Sequence, residues 1–194
     1  MKSDKVALLL IAVLCALAAR WLLSPSRANL PAPQATVHLL PLVGPTRPDL
    51  MDVQRTLEAF TGVQATLEKP VVLPVSALQQ WRAQYEAERL QPVIPSQVGH
   101  YWLAITQQDL FTSQVPQWRF CYGSQFEHSG VLSSARMGPF PGEDPALARS
   151  RLQKMVLRYV LEGAYAMRRV EDPKSLLYAR ILGPDDLDRM DFKI

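Results

Sequence analysis

The sequence predicts an α/β fold. Short apolar segments with strand-like patterning alternate with longer segments whose apolar residues recur every three or four positions. Their order is strand, helix, strand, helix, several strands and a last long helix, which is an α/β order. Apolar residues make up 48% of the 194-residue chain, so one domain can bury a core and leave room for an extension.

Each predicted element is bounded by turn-forming residues, above all by the 16 prolines and 9 glycines of the chain. The first helix, for example, is closed by Thr61 and Gly62. In chain order the predicted elements are a strand at 37–42, a helix at 47–60, a strand at 63–67, a helix at 76–90, strands at 101–106, 118–122 and 131–137, and a helix from 144 to 171.

The last helix has the clearest signals. Asp144 offers an acceptor side chain at the N-cap, and Pro145 has the backbone angle that the first helical position needs. Asp172 and Pro173 end the predicted helix. Its apolar stripe consists of Leu152, Val156, Tyr159, Val160, Gly163 and Met167. Its basic residues, predicted to face mostly away from that stripe, are Arg149, Arg151, Lys154, Arg158, Arg168 and Arg169.

The N-terminus predicts a single transmembrane helix. Residues 6–19 are unbroken apolar, and residues 1–23 together form an anchor in which Arg20 and Trp21 contact the lipid interface. A cleaved signal peptide is the alternative, since 16–18 is a small-x-small site. Lysines before the span weakly favour an extracytoplasmic, periplasmic position for the rest of the chain.

Two further segments follow the anchor. Residues 24–35 are rich in Pro, Ser and Ala and predict a semi-extended linker. Residues 36–194 predict the folded domain. The chain has two cysteines, Cys15 in the anchor and Cys121 in a predicted buried strand, so neither a disulfide within the domain nor a cysteine zinc site is expected.

Several short motifs of the domain occur in an order that resembles one family. Leu73-Pro74 with Gln84-Tyr85 resembles an L-P…R-x-Q-Y segment, and residues 103–106 with 109–111 resemble L-G-V-T-x-x-D-L-Y/F. Residues 133–137 resemble an S-L-x-R-L strand. Together these motifs resemble archaemetzincins, zinc metallopeptidases of the metzincin type. The resemblance implies a zincin-like mixed sheet with packed helices.

The resemblance also implies where zinc ligands and a catalytic glutamate would lie, because Arg151 and Lys154 match the start of the family's helix. The positions are Tyr159, Val160, Gly163 and Arg169, with Leu177 in the following turn, or, one residue earlier, Arg158, Tyr159, Glu162 and Arg168. Neither set contains a histidine. Glu162 is predicted to pair with Arg158 four residues earlier or simply to face solvent.

The three histidines of the chain lie elsewhere, at His38, His100 and His128. None has a second histidine at i+4, so they do not form a helical zinc motif. A site built from all three would need long-range convergence that their spacing does not indicate. They are interpreted as structural or surface residues, and neither metal nor another cofactor is expected.

Other functions have no support in the pattern. A net charge of +3 does not suggest nucleic-acid binding. The chain has no Gly-x-Ser-x-Gly elbow and no phosphate-binding glycine loop. The basic helical residues read most simply as a solvated face. The candidate contacts to lipid or a protein partner are Arg20, Trp21, Arg149, Arg151, Lys154, Arg158 and Phe140.

The sequence therefore predicts a membrane-anchored domain of the archaemetzincin type without catalytic activity. Such a domain would act as an accessory or structural subunit of a membrane complex, or as a pseudoenzyme that binds unknown proteins. Two alternatives remain open at this point: a zinc-dependent metallopeptidase with an atypical site, and a secreted binding protein released by signal cleavage.

Overall fold

The computed structural model describes residues 30–46 and 48–194. The predicted membrane anchor at 1–23, with Arg20, Trp21 and the alternative cleavage site, lies outside the described residues. Within the described ranges no helix is both long and apolar enough to span a bilayer. Residues 30–35 of the predicted linker contact the domain: Leu30 packs on the core, and the Gln34 amide donates to the Ala164 carbonyl at 2.7 Å.

The elements combine nine strands and three α-helices in the described part of the chain. The strands are β1 (Thr36–Val43), β2 (Ala65–Leu67), β3 (Val71–Val72), β4 (Leu78–Gln79), β5 (Gln84–Glu86), β6 (His100–Thr106), β7 (Leu110–Phe111), β8 (Gly123–Gln125) and β9 (Ser129–Ser133). The α-helices are α1 (Met51–Thr61), α2 (Pro145–Gly163) and α3 (Pro184–Arg189), and two 3₁₀ helices span Val75–Ala77 and Glu88–Val93.

The main sheet has six strands in the order β2-β1-β6-β9-β8, with β3 also paired to β1. All its pairs are parallel except β8 with β9, which is antiparallel. A second sheet of three strands has the order β4-β5-β7. The predicted mixed sheet with packed helices is therefore confirmed.

The sheet separates two apolar cores because side chains alternate along each strand. Leu39 and Leu103 face the core formed with α1 and α2. Leu40 and Ala104, their neighbours along the strands, face a second core beneath the 3₁₀ segments and the small sheet. All four are at most 3% exposed. Both faces of the central strands are buried, which explains their nearly continuous apolar sequence.

The start of α2 is as predicted, but its end is not. The Asp144 side chain accepts from the Ala146 amide at 2.8 Å, and Pro145 occupies the first turn. The helix ends at Gly163, eight residues before the predicted end at 171. The chain then reverses through Ala166, whose φ is +52°, and Val170 pairs with Tyr178. The extended segment that makes this pairing takes the place of the predicted last turns of the helix.

Two other predicted elements are wrong. The predicted helix at 76–90 is instead a 3₁₀ turn followed by β4, β5 and the start of a second 3₁₀ segment. The reason is that β5 pairs with β7, which places Glu86 beside Phe111, 25 residues later in the chain. The predicted strand at 118–122 is irregular and makes one bridge, between Cys121 and Leu110. Cys121 is buried as expected.

The prediction of a solvated basic face on α2 is wrong for three residues. Arg151, Lys154 and Arg158 are 2%, 7% and 4% exposed, because the C-terminal segment around α3 covers that side of the helix. The Lys154 ammonium donates to the Leu187 carbonyl at 2.8 Å. Arg151 and Lys154 are therefore unsuitable as lipid or partner contacts, and Arg158 can be reached only from a cavity. Arg149 is exposed, and Phe140 is 41% exposed.

Candidate functional site

A cavity of about 410 Å³ lies between α2 and the irregular segment that precedes β8. We refer to it as the α2 cleft. One wall is the segment 117–123, and the helix contributes Met155, Arg158 and Tyr159. Leu182 and Trp118 stand at its rim and are 79% and 51% exposed. The cleft is thus apolar at its mouth and polar where it meets the end of α2.

Two arginines and a glutamate form an ion-pair cluster at that end, the Arg–Glu–Arg cluster. The Arg158 Nε lies 3.0 Å from one carboxylate oxygen of Glu162, which confirms the pairing predicted at i+4. The Arg169 Nη2 lies 3.0 Å from the other oxygen, and its Nε is 3.1 Å from the first. Arg158 also donates to the Tyr178 carbonyl. Both oxygens of Glu162 are therefore occupied by guanidinium groups.

The pKa values of the two arginines of the cluster are shifted in opposite directions. Desolvation lowers the pKa of Arg158, and Glu162 partly offsets it. The hydrogen bond to Glu162 raises the pKa of Arg169, whose side chain is 53% exposed. Arg169 is thus a charged and accessible group beside the cleft.

Tyr159 anchors the helix beside the cleft. Burial raises the pKa of its phenol well above the ordinary value, so it stays neutral. Its carbonyl accepts from Gln125 of β8 at 3.1 Å, and Gln125 accepts from the Tyr101 hydroxyl at 2.6 Å. Gly163 lies against Tyr101 so closely that a Cβ there would be 2.0 Å from the ring. The end of α2 is therefore pressed onto the sheet.

The residues predicted from the family motif fall in different places. Arg158, Tyr159 and Arg169 line the cleft, and Glu162 lies between the two arginines. Val160 and Leu177 are in the core at 0% and 1% exposure. Gly163 packs on the sheet, and Arg168 is exposed at the surface. Neither alignment brings its whole set together at one point.

The side chains at this end of the cleft do not fit a zinc ion. Guanidinium groups cannot give up a proton to become ligands, and two of them already bind the one nearby carboxylate. In residues 30–46 and 48–194 no group of three or more His, Cys, Asp or Glu side chains is placed to hold a metal ion. No step of metal-assisted hydrolysis can be derived from this arrangement.

Sequence reasoning missed a second polar cluster. His38 and His100 are hydrogen-bonded through Nε2 and Nδ1 at 2.9 Å, and the His38 Nδ1 is 2.7 Å from Glu68. The indole of Trp102 stacks on both imidazole rings. His128 instead lies beside Glu127. The missing signal was the parallel pairing of β1 and β6, which sets His38 opposite Trp102 and Thr36 opposite His100.

Comparison with known proteins identifies the fold. No protein-family model matches the chain, and no curated protein is significantly similar in sequence. Archaemetzincin from Methanopyrus kandleri superposes with a TM-score of 0.67 at 21% identity, covering 84% of this chain and 91% of the other. Archaemetzincin from Archaeoglobus fulgidus, complexed with malonate, gives 0.67 at 16% identity, covering 81% and 94%.

A zinc-dependent peptidase from Methanocorpusculum labreanum is similar as well, with a TM-score of 0.62 at 16% identity over 80% of this chain and 94% of the other. At these identities the likeness concerns the fold alone. The chain has the archaemetzincin fold, as its motifs predicted.

Proposed function

We propose that this chain is a non-catalytic, membrane-anchored binding domain that holds a segment of a partner protein in the α2 cleft. It would act as an accessory or structural subunit of a membrane complex, or as a protein-binding pseudoenzyme. The observation that carries the proposal is the Arg–Glu–Arg cluster. It lies at the end of the helix where the resemblance to archaemetzincins would put the zinc ligands and the catalytic glutamate, and a zinc peptidase needs neutral imidazoles and a free carboxylate there.

Glu162 is poorly suited to act as a general base. A base must reach a water and accept its proton, whereas both oxygens of this carboxylate accept from arginines at about 3 Å. The side chains of Arg158 and Glu162 are only 5% and 11% exposed. Removing one partner of a buried pair typically costs about 3–5 kcal/mol, so the carboxylate is not readily released.

The cleft retains features that suit a bound peptide segment. Leu182 and Trp118 offer exposed apolar surface at its mouth. Arg169 offers a half-exposed guanidinium for a carboxylate at its inner end. Next to the cleft, β8 is at the edge of the main sheet, where an extended chain can add as a further strand. These features favour an extended segment with apolar side chains and an acidic group.

The entry of the chain into the domain limits how far the domain could lie from the proposed anchor. Leu30 packs on the helical core, and Gln34 is hydrogen-bonded to Ala164 just beyond the end of α2. The residues from 23 to 30 can span at most about 25 Å. A span at 1–23 would therefore hold this end of the domain close to the bilayer. Intact-mass measurement of the mature chain distinguishes the anchored form from a secreted form cleaved near residue 18.

The test is capture of neighbours by the full chain in mild detergent, comparing two variants that change the surface alike. Leu182→Glu places a charge at the cleft mouth, and Val75→Glu does so at a residue of equal exposure that does not line the cleft. We expect defined neighbours with the native chain and Val75→Glu, and their loss with Leu182→Glu. Neighbours unaffected by Leu182→Glu would refute the cleft as the binding site, and a clean monomer would refute the subunit role.

The alternative is a zinc-dependent metallopeptidase of the archaemetzincin type with an atypical site. It is favoured by the shared fold alone, since one of the similar structures is a zinc-dependent peptidase. Peptide hydrolysis with added Zn²⁺ decides between the two. We expect no hydrolysis by the native chain. Zinc-dependent hydrolysis that disappears in Glu162→Gln would establish the enzyme and overturn the binding proposal.

A further inference from the structure

We propose that His38 and His100 form a binding site for a divalent transition-metal ion, with Glu68 as the carboxylate that orients His38. This histidine pair lies on the face of the main sheet opposite to α1 and α2, and it is separate from the α2 cleft. The proposal therefore goes beyond the binding function and does not depend on it.

The pairing of two parallel strands brings the histidines together. His38 is the third residue of β1 and His100 the first of β6, and both side chains lie on the face that carries Trp102. The His38 Nε2 and the His100 Nδ1 are 2.9 Å apart. The indole of Trp102 stacks at 4.6 Å from the His38 ring and 5.2 Å from the His100 ring, which restricts both rings. Two imidazole nitrogens are thus directed at one point.

Glu68 determines which nitrogen of His38 is available. An ionised carboxylate can only accept hydrogen bonds. At 2.7 Å, the His38 Nδ1 therefore carries the proton and donates it in a hydrogen bond to Glu68. The Nε2 lone pair is then directed at His100. Histidines that bind metals commonly donate their other N–H to a carboxylate, which fixes the tautomer and strengthens the ligand. The Glu68–His38 pair has this arrangement already.

The separation of the two nitrogens is close to what a metal requires. Two imidazoles at neighbouring positions of a tetragonal Cu²⁺ ion, with metal–nitrogen distances of about 2.0–2.1 Å, have nitrogens roughly 2.9 Å apart; on a tetrahedral ion such as Zn²⁺ the separation is roughly 3.3 Å. The observed 2.9 Å is therefore closer to the copper geometry, and the shared proton has to leave when the ion binds. The side chain of His38 is 11% exposed, and His100 lines a cavity of about 590 Å³ that admits solvent. Water can therefore complete the coordination.

The number of protein ligands sets the expected affinity and the order of metals. Two histidines with solvent ligands bind more weakly than the four protein ligands of a structural zinc site. We expect micromolar affinity for one Cu²⁺ per chain, and weaker binding of Zn²⁺, as the general order for nitrogen ligands predicts.

The experiment titrates Cu²⁺ into the full chain in detergent and follows tryptophan emission and heat of binding. Copper between the two rings should quench Trp102, so the native chain should show saturable quenching at one equivalent. His38→Gln and His100→Gln should each weaken binding at least tenfold. Glu68→Gln should weaken it about 10- to 100-fold through the orienting carboxylate. Trp102→Phe should lose much of the quenching but keep the heat of binding.

His128→Gln is the matched control, because His128 is the one other histidine of the chain and lines the same cavity as His100, but it is not hydrogen-bonded to the pair. It should leave binding unchanged. Two results would overturn the proposal: no saturable binding by the native chain, or native affinity in both His38→Gln and His100→Gln. In either case the contact between the two histidines would be only a structural hydrogen bond. Circular dichroism checks that each variant is folded. If His38→Gln unfolds, the copper affinity of His100→Gln, at the first residue of β6, tests the proposal. If both histidine variants unfold, the copper affinity of Glu68→Gln tests it.

Discussion

Arg151 and Asp188 are joined by two hydrogen bonds, of 2.8 and 2.6 Å, although 37 residues separate them in the chain. The same guanidinium binds both oxygens of Glu143 and the Met137 carbonyl. Arg151 is 2% exposed, so it connects α2, α3 and the loop before α2 from inside the protein. Arg151 matches the start of the family's helix and was a candidate partner contact, but its observed contacts are structural.

Replacing Arg151 by methionine should destabilise the fold. The substitution keeps an apolar stem but leaves Glu143 and Asp188 without their partner, and loss of one member of a buried ion pair costs about 3–5 kcal/mol. The two carboxylates are 25% and 33% exposed, which favours the lower end of that range. Urea unfolding measures the change. Arg149→Met, at an exposed position with a 3.8 Å ion pair, should change the free energy of unfolding by less than about 0.5 kcal/mol.

Acid should weaken the same contact through Glu143. The hydrogen bond from Arg151, and then the Phe140 amide, lower the pKa of Glu143 in the folded protein. A carboxyl whose pKa is lowered by folding stabilises the protein above its unfolded pKa of 4.5, and that stabilisation is lost as the pH falls through the folded value. Urea midpoints between pH 6 and pH 3 should fall less steeply in Glu143→Gln than in the native chain. Parallel slopes would contradict this assignment.

High pH should destabilise the folded protein through Tyr122. Burial raises the pKa of its phenol to about 12 from an unfolded value of 10.0. The unfolded chain therefore loses this proton first, and stability falls as the pH rises from about 10 to about 12. In Tyr122→Phe, the loss of unfolding free energy between about pH 10 and pH 12 should be smaller by on the order of 2 kcal/mol. The difference between the two stability curves isolates Tyr122 from the other tyrosines, and an unchanged slope in the variant would argue against a buried phenol.

The sequence predicted those parts of the fold that depend on local signals. The central strands were recognisable from their apolar runs, and the start of α2 from the Asp144 cap and Pro145. The helix predicted at 76–90 was wrong because residues with good helix propensity pair as β5 with β7. Propensity is a weak local preference, and pairing with a strand distant in sequence overrides it.

The candidate site was predictable only in part. Glu162 and Arg158 are four residues apart on one helix, so their contact follows from helical geometry. Arg169 joins them because the chain reverses after Gly163, which no local pattern indicates. The burial of Arg151 and Lys154 depends on the C-terminal segment that covers α2. His38 and His100 are 62 residues apart in the chain, and their contact depends on the pairing of β1 with β6.

The contact between Gly163 and Tyr101 tests how closely the end of α2 approaches the sheet. An alanine Cβ at residue 163 would lie 2.0 Å from Cε2 and 2.4 Å from Cζ of Tyr101, well inside van der Waals contact. Tyr101 is 1% exposed and hydrogen-bonded to Gln125, so its ring has no free space to enter. Gly163→Ala should therefore lower the free energy of unfolding by about 1–3 kcal/mol, although alanine is the better helix former.

A double-mutant cycle identifies the tyrosine ring as the cause. Tyr101→Leu removes the ring atoms that alanine would meet, so Gly163→Ala should be nearly neutral in that background and the two changes should be coupled by more than about 1 kcal/mol. Tyr101→Phe keeps the ring and loses only the hydroxyl, so it should give no relief. Equal cost of Gly163→Ala in all three backgrounds would mean that the ring of Tyr101 is not the cause of the cost, and the close approach of α2 to the sheet at this point would lose its support.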